Sequence, residues 1–166
     1  MLQKKICMIG SFAVGKTSLV RRFVESIYSD AYHTTVGVKV DKKVVQSGGN
    51  EVTLVLWDIY GEDELQKMRW SYVRGASGYL LVADGTRRAT LDKAVELEEK
   101  LRQEVGAIPF VFAVNKSDLA ADWDLDTALE ERPAMKSWKI LRTSAKTGEG
   151  VEQAFEMLTR AMLGGA

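Results

Sequence analysis

The sequence predicts an α/β domain with a central, mostly parallel six-stranded sheet, one antiparallel edge strand and about five helices on both faces. Three observations lead to this prediction. Apolar runs of strand length alternate with segments of helical periodicity along the chain. Two β-rich runs are joined by a glycine-containing turn, which indicates one hairpin. Residues 10–17 fit a pattern of glycine, four residues, glycine, lysine and threonine, which is typical of a phosphate-binding loop between a strand and a helix.

The six strands are predicted from short apolar or alternating runs. Residues 5–9, 78–83 and 108–114 are continuously apolar, as expected of strands buried on both faces of a parallel sheet. The two hairpin strands, 36–46 and 51–57, flank a turn at 47–50. The last strand is expected at 138–142.

The helices are predicted from apolar residues that recur every three or four positions. Residues 17–26 continue from the glycine-rich loop, and a short helix is expected towards Tyr72. Thr90 is a plausible N-cap for a helix that ends at Gly106. A weaker helix at 126–131 stops before Pro133, and 151–162 closes the chain.

Composition limits the classes of function. The 166 residues suffice for one domain, 1–166, and the 23 basic and 23 acidic side chains leave no basic excess for a nucleic-acid partner. The single cysteine, Cys7, lies in an apolar strand, so a reducing cytoplasm is the expected setting. No run approaches the ~20 apolar residues of a membrane span. The last residues, 163–166, hold no cysteine for prenylation, so no lipid anchor is expected. We expect a monomer.

Residues 10–17 carry the chemistry of a phosphate site. Gly10 and Gly15 let the backbone turn where a side chain would collide with phosphate. Successive N–H groups and the following helix N-terminus form a cradle for anionic oxygens. Lys16 can reach the β- and γ-phosphates, and the Thr17 hydroxyl can ligate Mg²⁺.

Three further motifs follow predicted strand ends, where parallel sheets bind ligands. Asp58, with Gly61 three residues on, can hold Mg²⁺ through water while the glycine N–H approaches the γ-phosphate. Asp118, in the run Asn115-Lys116-Ser117-Asp118, can accept from N1–H and the N2 amine of guanine, donors that adenine lacks. Residues 144–146 can offer a backbone N–H to guanine O6. Each motif alone would also suit an ordinary turn. The four motifs in this order, each at a predicted strand end, are specific for a nucleotide site.

With these motifs the sequence resembles the Ras superfamily of small GTPases, over nearly the whole chain, and the Rab-like pattern within it. The Rab-like stretches are 35–38, 57–58, 71–76 and 143–149. The resemblance implies a small G domain with the P-loop NTPase fold, a switch that binds GTP and GDP with Mg²⁺ and hydrolyses GTP. It also implies effector and regulator proteins at two switch loops, around Thr35 and Gly61.

The resemblance further implies a role for each matching residue. Lys16, Gly61 and Glu62 occupy the catalytic positions, and Thr17, Thr35 and Asp58 the Mg²⁺ positions. The nucleotide-binding positions are Ala13, Val14, Gly15, Lys16, Thr17, Ser18, Tyr28, Tyr32, Thr35, Gly61, Asn115, Lys116, Asp118, Ser144, Ala145 and Lys146. Among these, Tyr28 lies against the guanine, Tyr32 closes over the phosphates, and Asn115 and Asp118 fix the base.

Three residues depart from the family pattern near the γ-phosphate. Glu62 replaces the family's glutamine, and an ionised carboxylate can accept a hydrogen bond from water but cannot donate one. Tyr60 and Phe12 replace small residues. These changes predict slow hydrolysis or a modified mechanism. In the alternative, the Glu62 side chain turns into solvent and the backbone alone orders the attacking water.

Two questions stay open at this point. Trp57, Trp70 and Tyr72 form either part of the core or a face that binds effectors. The function is either a hydrolysing switch or a GTP-binding scaffold that lacks turnover. A P-loop ATPase or kinase is a third alternative, which Asn115 and Asp118 oppose.

Overall fold

A computed structural model describes residues 2–11, 13–25, 38–59, 70–122 and 125–164. The six strands are β1 (Leu2–Gly10), β2 (Val38–Ser47), β3 (Asn50–Ile59), β4 (Gly78–Asp84), β5 (Phe110–Asn115) and β6 (Ile140–Arg142). The helices are α1 (Lys16–Glu25), α2 (Trp70–Val73), α3 (Arg88–Val105), α4 (Leu125–Glu130) and α5 (Val151–Met162). Two 3-10 helices, Ser117–Asp122 and Pro133–Ser137, were not predicted from the sequence.

The strands form one sheet in the order β2-β3-β1-β4-β5-β6. Every neighbouring pair is parallel except β2 with β3, so β2 is the antiparallel edge strand. The predicted fold class is confirmed. In this order β1 lies at the centre of the sheet, and the phosphate-binding loop leaves its carboxyl end, where ligands of such sheets bind.

The hairpin between β2 and β3 closes through a two-residue turn. Ser47 and Asn50 are paired, which leaves Gly48 and Gly49 as the turn residues. Both have positive φ, 58° and 80°, as the hairpin turn with left-handed residues at both positions requires. This turn fixes the register of β2 against β3, and that register places charged side chains at the site described below.

Helices cover both faces of the sheet and create two apolar cores. On one face α1 and α5 pack on the sheet, and the rings of Phe23 and Phe155 stack with centroids 3.9 Å apart. On the other face α3 contributes Leu97 and Leu101 to a core that includes Cys7. Burial raises the pKa of Cys7 to about 12, in keeping with a core residue.

Several predicted boundaries were wrong. Thr90 is not the N-cap of α3: Arg87 holds that position without a side-chain cap, and the Thr90 hydroxyl bonds within the first turn to the Arg87 carbonyl. Asp58 does not follow β3 but lies inside it, because pairing with β1 reaches Asp58 and pairing with β2 continues to Ile59. Trp138 precedes β6 and packs edge-on against Phe112. None of the described helices is long and apolar enough to cross a membrane.

Candidate functional site

The phosphate-binding loop needs its two glycines for reasons that lie inside the protein. A Cβ on Gly10 would lie 2.4 Å from the Val82 carbonyl oxygen of the neighbouring strand β4. A Cβ on Gly15, whose φ is +107°, would lie 2.2 Å from the amide nitrogen of Asn115. Ala13 also has positive φ, 62°, a conformation that is uncommon outside glycine and concentrates at functional sites. Close approach of neighbouring strands therefore shapes the loop.

Lys16, the first residue of α1, is folded back onto the loop. Its ammonium donates to the Gly10 carbonyl oxygen over 2.7 Å, and the side chain is buried. Burial lowers the pKa of Lys16, and the negative charge of Asp58 opposes that shift. The ammonium lies at the N-terminus of a ten-residue helix, so both the side chain and the helix dipole favour an anion here.

Asp58 is the buried carboxylate of the site. Its side chain is 0% exposed, and Oδ2 accepts a hydrogen bond from the Thr17 hydroxyl. Oδ1 is buried and has no hydrogen-bond partner among the described residues. Burial raises the pKa of Asp58, although the Thr17 hydrogen bond and the charges of Lys16 and Lys39 act to lower it. A buried carboxylate oxygen without a partner is costly, and a bound cation would satisfy it.

Asn115 ties the end of β5 to the phosphate-binding loop. Its amide donates to the Val14 carbonyl oxygen over 2.9 Å, and its carbonyl oxygen accepts from the Thr143 hydroxyl over 3.1 Å. All three residues are buried. The Asn115 side chain therefore links the phosphate-binding loop to the segment after β6.

Lys116 makes a second tie to the loop. It has a φ of 72°, and its ammonium donates to the Ala13 carbonyl oxygen over 3.2 Å. The same ammonium lies 2.8 Å from Oδ2 of Asp84, which is 1% exposed. Burial alone would raise the pKa of Asp84, but the Lys116 ammonium and hydrogen bonds from Thr86 outweigh it and hold that pKa below its usual value.

Asp84 is a site residue that the sequence analysis missed. It ends β4 and pairs in register with Asn115, so the two side chains lie at the same edge of the sheet. The signal was available: Asp84 is a polar residue after a buried apolar run, as Asn115 is. It was overlooked because no phosphate or base motif includes it.

Asp118 is one of the residues that line a cavity of about 350 Å³. Its Oδ1 accepts from the Ser144 hydroxyl over 2.8 Å, and the side chain is otherwise exposed. The Ser144 N–H donates to the Glu149 carbonyl, whereas the N–H groups of Ala145 and Lys146 make no backbone hydrogen bond within the described residues. The cavity is lined by Gly15, Ser18, Asn115, Lys116, Asp118, Leu119, Ala145 and Lys146.

The structure therefore brings three of the four sequence motifs around one cavity and places the fourth, at Asp58, beside Thr17. Several predicted positions lie outside the described residues: Phe12, Tyr28, Tyr32, Thr35, Tyr60, Gly61 and Glu62, together with the side chain of Trp70. The described part of the site comprises the loop, the base-side cavity and the carboxylate.

Comparison with known proteins gives the family. The model of the Ras family matches residues 5–164. Ras-related protein Rab-4A of Rattus norvegicus and of Homo sapiens are each 35% identical over 161 residues, which cover 96% of this chain and 74% of each relative. Ras-related protein Rab-4B of Rattus norvegicus is also 35% identical, with 96% of this chain and 76% of that relative covered.

The chain belongs to the Ras family, as a Rab-like small GTPase. Members of this family are switches that bind GTP and GDP, hydrolyse GTP and interact with effectors and regulators. The resemblance inferred from the four motifs is confirmed.

Proposed function

We propose that this Rab-like small GTPase is a single G domain, residues 1–166, which holds GTP or GDP between the phosphate-binding loop and the cavity at Asp118, with Mg²⁺ at Thr17 and Asp58. One observation carries the proposal. Asn115 and Lys116, at the end of β5, donate to two consecutive carbonyl oxygens of the loop, those of Val14 and Ala13. Base-side and phosphate-side elements therefore form one connected binding surface.

Guanine selectivity rests on Asp118 and the segment after β6. The Asp118 carboxylate suits the N1–H and N2 amine of guanine, and the N–H groups of Ala145 and Lys146 suit its O6. Adenine leaves the carboxylate unpaired, which opposes an ATPase or kinase. Competition between labelled GDP and unlabelled ADP tests this. We expect ADP to compete at least about a hundredfold more weakly, given two unmade hydrogen bonds to a charged group; equal competition would exclude guanine selectivity.

The donor set at Asp58 fits Mg²⁺. A hydroxyl and a carboxylate are hard oxygen ligands, and the unpartnered Oδ1 of Asp58 is available to such a cation or its water. The described residues hold no group of three or more His, Cys, Asp or Glu side chains that could bind a metal by themselves. A Mg²⁺ ion shared with phosphate needs no such group, since it keeps waters and few protein ligands. Bound there, it would neutralise phosphate charge, and Thr35 is the proposed second hydroxyl ligand.

Hydrolysis is proposed to be slow or modified. Lys16 would neutralise charge on the β- and γ-phosphates, and the Gly61 N–H would approach the γ-phosphate. Glu62 accepts from water but adds negative charge beside an anionic centre, while Phe12 and Tyr60 are bulky where the family has small residues.

Single-turnover hydrolysis on GTP-loaded protein tests this. We expect a rate below the order of 10⁻⁴ s⁻¹ of intrinsic small-GTPase turnover. Glu62→Gln is expected to accelerate it, because glutamine can both accept and donate. The proposal would be wrong if the protein hydrolysed GTP at the usual intrinsic rate of small GTPases and Glu62→Ala left that rate unchanged. If neither Glu62→Gln nor Glu62→Ala hydrolysed GTP, the result would favour the alternative, a GTP-binding scaffold.

Trp57 and Tyr72 are proposed to form part of the effector face. Their rings lie 6.0 Å apart between centroids, both side chains are half-buried, and the Lys5 ammonium lies 3.9 Å over the Trp57 ring. Half-buried aromatic rings beside a cation are the composition that protein interfaces favour. A Trp57→Ala protein that keeps nucleotide affinity and loses partner binding would support the face. If it kept every partner, the pair would be core packing alone.

A further inference from the structure

Lys39, on the edge strand β2, is a buried cation. The residue is only 4% exposed, whereas lysine is almost never buried without a partner. Its ammonium forms an ion pair with Oδ2 of Asp41 at 3.0 Å. The two residues are two positions apart on one strand and therefore project from the same face of the sheet.

The strand register places this ion pair beside the proposed Mg²⁺ site. Lys39 lies directly opposite Asp58 in the antiparallel ladder between β2 and β3, so their side chains leave the same face with Cβ atoms ~5 Å apart. The largest influences on the pKa of Asp58 are its burial, the Thr17 hydrogen bond and the charge of Lys16. The charge of Lys39 comes next and lowers that pKa, whereas the charge of Asp41 raises it. Both members of the pair therefore act electrostatically on the carboxylate.

We propose that Lys39 is a built-in cation of the nucleotide site: its ammonium competes electrostatically with Mg²⁺ at Asp58, so that nucleotide retention needs a higher Mg²⁺ concentration than Asp58 and Thr17 alone would set. Asp41 moderates the effect by pairing with the ammonium. The inference rests on the proposed Mg²⁺ site. Its physical cause is repulsion between an ammonium and a divalent cation that both act on one buried carboxylate. Lys39 is a positioning and charge-setting residue here, with no contact to the reacting atoms.

The test measures release of a fluorescent GDP analogue at a series of free Mg²⁺ concentrations. The quantity compared is the Mg²⁺ concentration at which release is half-slowed. Lys39→Gln removes the charge and keeps a long polar side chain, and it is expected to lower this midpoint about tenfold, the scale of one unit charge acting on a divalent ion at several ångströms in a partly screened site. Lys39→Arg keeps the charge and should leave the midpoint in place.

Lys43→Gln is the matched control. Lys43 lies on the same face of the same strand, but it is opposite Leu54, and its ammonium lies at the Phe23 carbonyl and 3.3 Å from Glu152. We expect no shift from Lys43→Gln. Asp41→Asn is the second test, and it remains informative if Lys39→Gln folds poorly. Removing the partner of the ammonium should raise the midpoint, a change in the opposite direction.

Each outcome decides between the proposals. A Mg²⁺-dependent protein whose midpoint moves less than about twofold in both Lys39→Gln and Asp41→Asn would overturn the role of Lys39 and leave the Mg²⁺ site standing. An equal shift in Lys43→Gln would overturn it too, because net charge alone would then explain the change. Nucleotide that stays bound but insensitive to Mg²⁺ in both the unmodified protein and Lys39→Gln would overturn the Mg²⁺ site itself.

Discussion

The base side and the metal side of the site differ in whether the protein itself provides partners for their buried polar groups. On the base side, Asn115, Thr143 and Lys116 bond to other parts of the chain. Within the described part of the chain, Oδ2 of Asp84 has no hydrogen bond there, but the Lys116 ammonium lies 2.8 Å away and balances its charge. On the metal side, the buried Oδ1 of Asp58 has no hydrogen-bond partner among the described residues. The base side is therefore preorganised before nucleotide binds, whereas the metal side is balanced only when a ligand supplies the missing charge.

The largest expected effect tests the contact from the base side to the ligand. Asp118→Ala should weaken GDP binding by at least about a hundredfold, because hydrogen bonds to a charged group contribute roughly 1.5–3 kcal/mol each. Selectivity for GDP over ADP should collapse with it. Equilibrium titration with both nucleotides measures both effects. If GDP affinity fell while selectivity stayed intact, another residue would read the base.

Preorganisation of the base side is tested by Asn115→Ala. The substitution leaves the Val14 carbonyl oxygen and the Thr143 hydroxyl buried without this partner, so the nucleotide-free protein should lose about 2 kcal/mol of unfolding free energy. GDP release should also accelerate, since the phosphate-binding loop loses its hydrogen bond from Asn115. Urea unfolding without nucleotide gives the stability. An unchanged midpoint would mean that the base side is not held together before binding.

A smaller change is expected from Ser144→Ala. Its hydroxyl donates to Oδ1 of Asp118 and accepts from the Thr147 N–H, so its loss removes orientation and leaves the charge in place. GDP affinity should fall about fivefold, equivalent to about 1 kcal/mol, because the carboxylate that pairs with guanine remains. Calorimetric titration beside Asp118→Ala gives the ratio. A loss as large as that of Asp118→Ala would show that Asp118 depends on Ser144 for its whole effect.

The smallest expected effect has the opposite sign and concerns the metal side. Because burial raises the pKa of Asp58, its ionised form costs stability in the nucleotide-free protein. This carboxyl favours folding below the unfolded pKa, and that contribution is lost as pH rises through the raised folded value. Asp58→Asn should therefore raise the melting temperature at pH 7 by about 3 °C, the shift that 1 kcal/mol produces in a domain of this size.

The pH dependence gives the control for that prediction. The difference in melting temperature between Asp58→Asn and the unmodified protein should grow from about pH 4 upward, because the unfolded carboxyl titrates near its ordinary value. It should then level off once Asp58 is ionised in the folded protein. A variant that is less stable at pH 7 would show that Lys16 and Lys39 already balance the carboxylate, and the contrast between the two sides would disappear.

The sequence alone determined the fold class, the strand-helix order and the four motifs. Strand and helix periods are local properties of the sequence. The backbone geometry is likewise predicted by a few neighbouring residues at the turn Gly48-Gly49 and in the loop 10–17. Local patterns also located Asp118 and Thr17 near strand ends, and the structure brings the motifs to one edge of the sheet. Boundaries such as that of β3 were missed because pairing with neighbouring strands, and not local preference, decides where a strand ends.

Only the tertiary structure decided how these residues are paired. That Asn115 holds the Val14 carbonyl, that Asp84 neutralises Lys116, and that Lys39 lies opposite Asp58 all follow from strand order and register. The register of β2 against β3 depends on the turn at Gly48-Gly49, and the parallel pairs of the sheet join residues that are far apart in the chain. The electrostatics of the site come from these long-range pairs, which no local pattern in the sequence specifies.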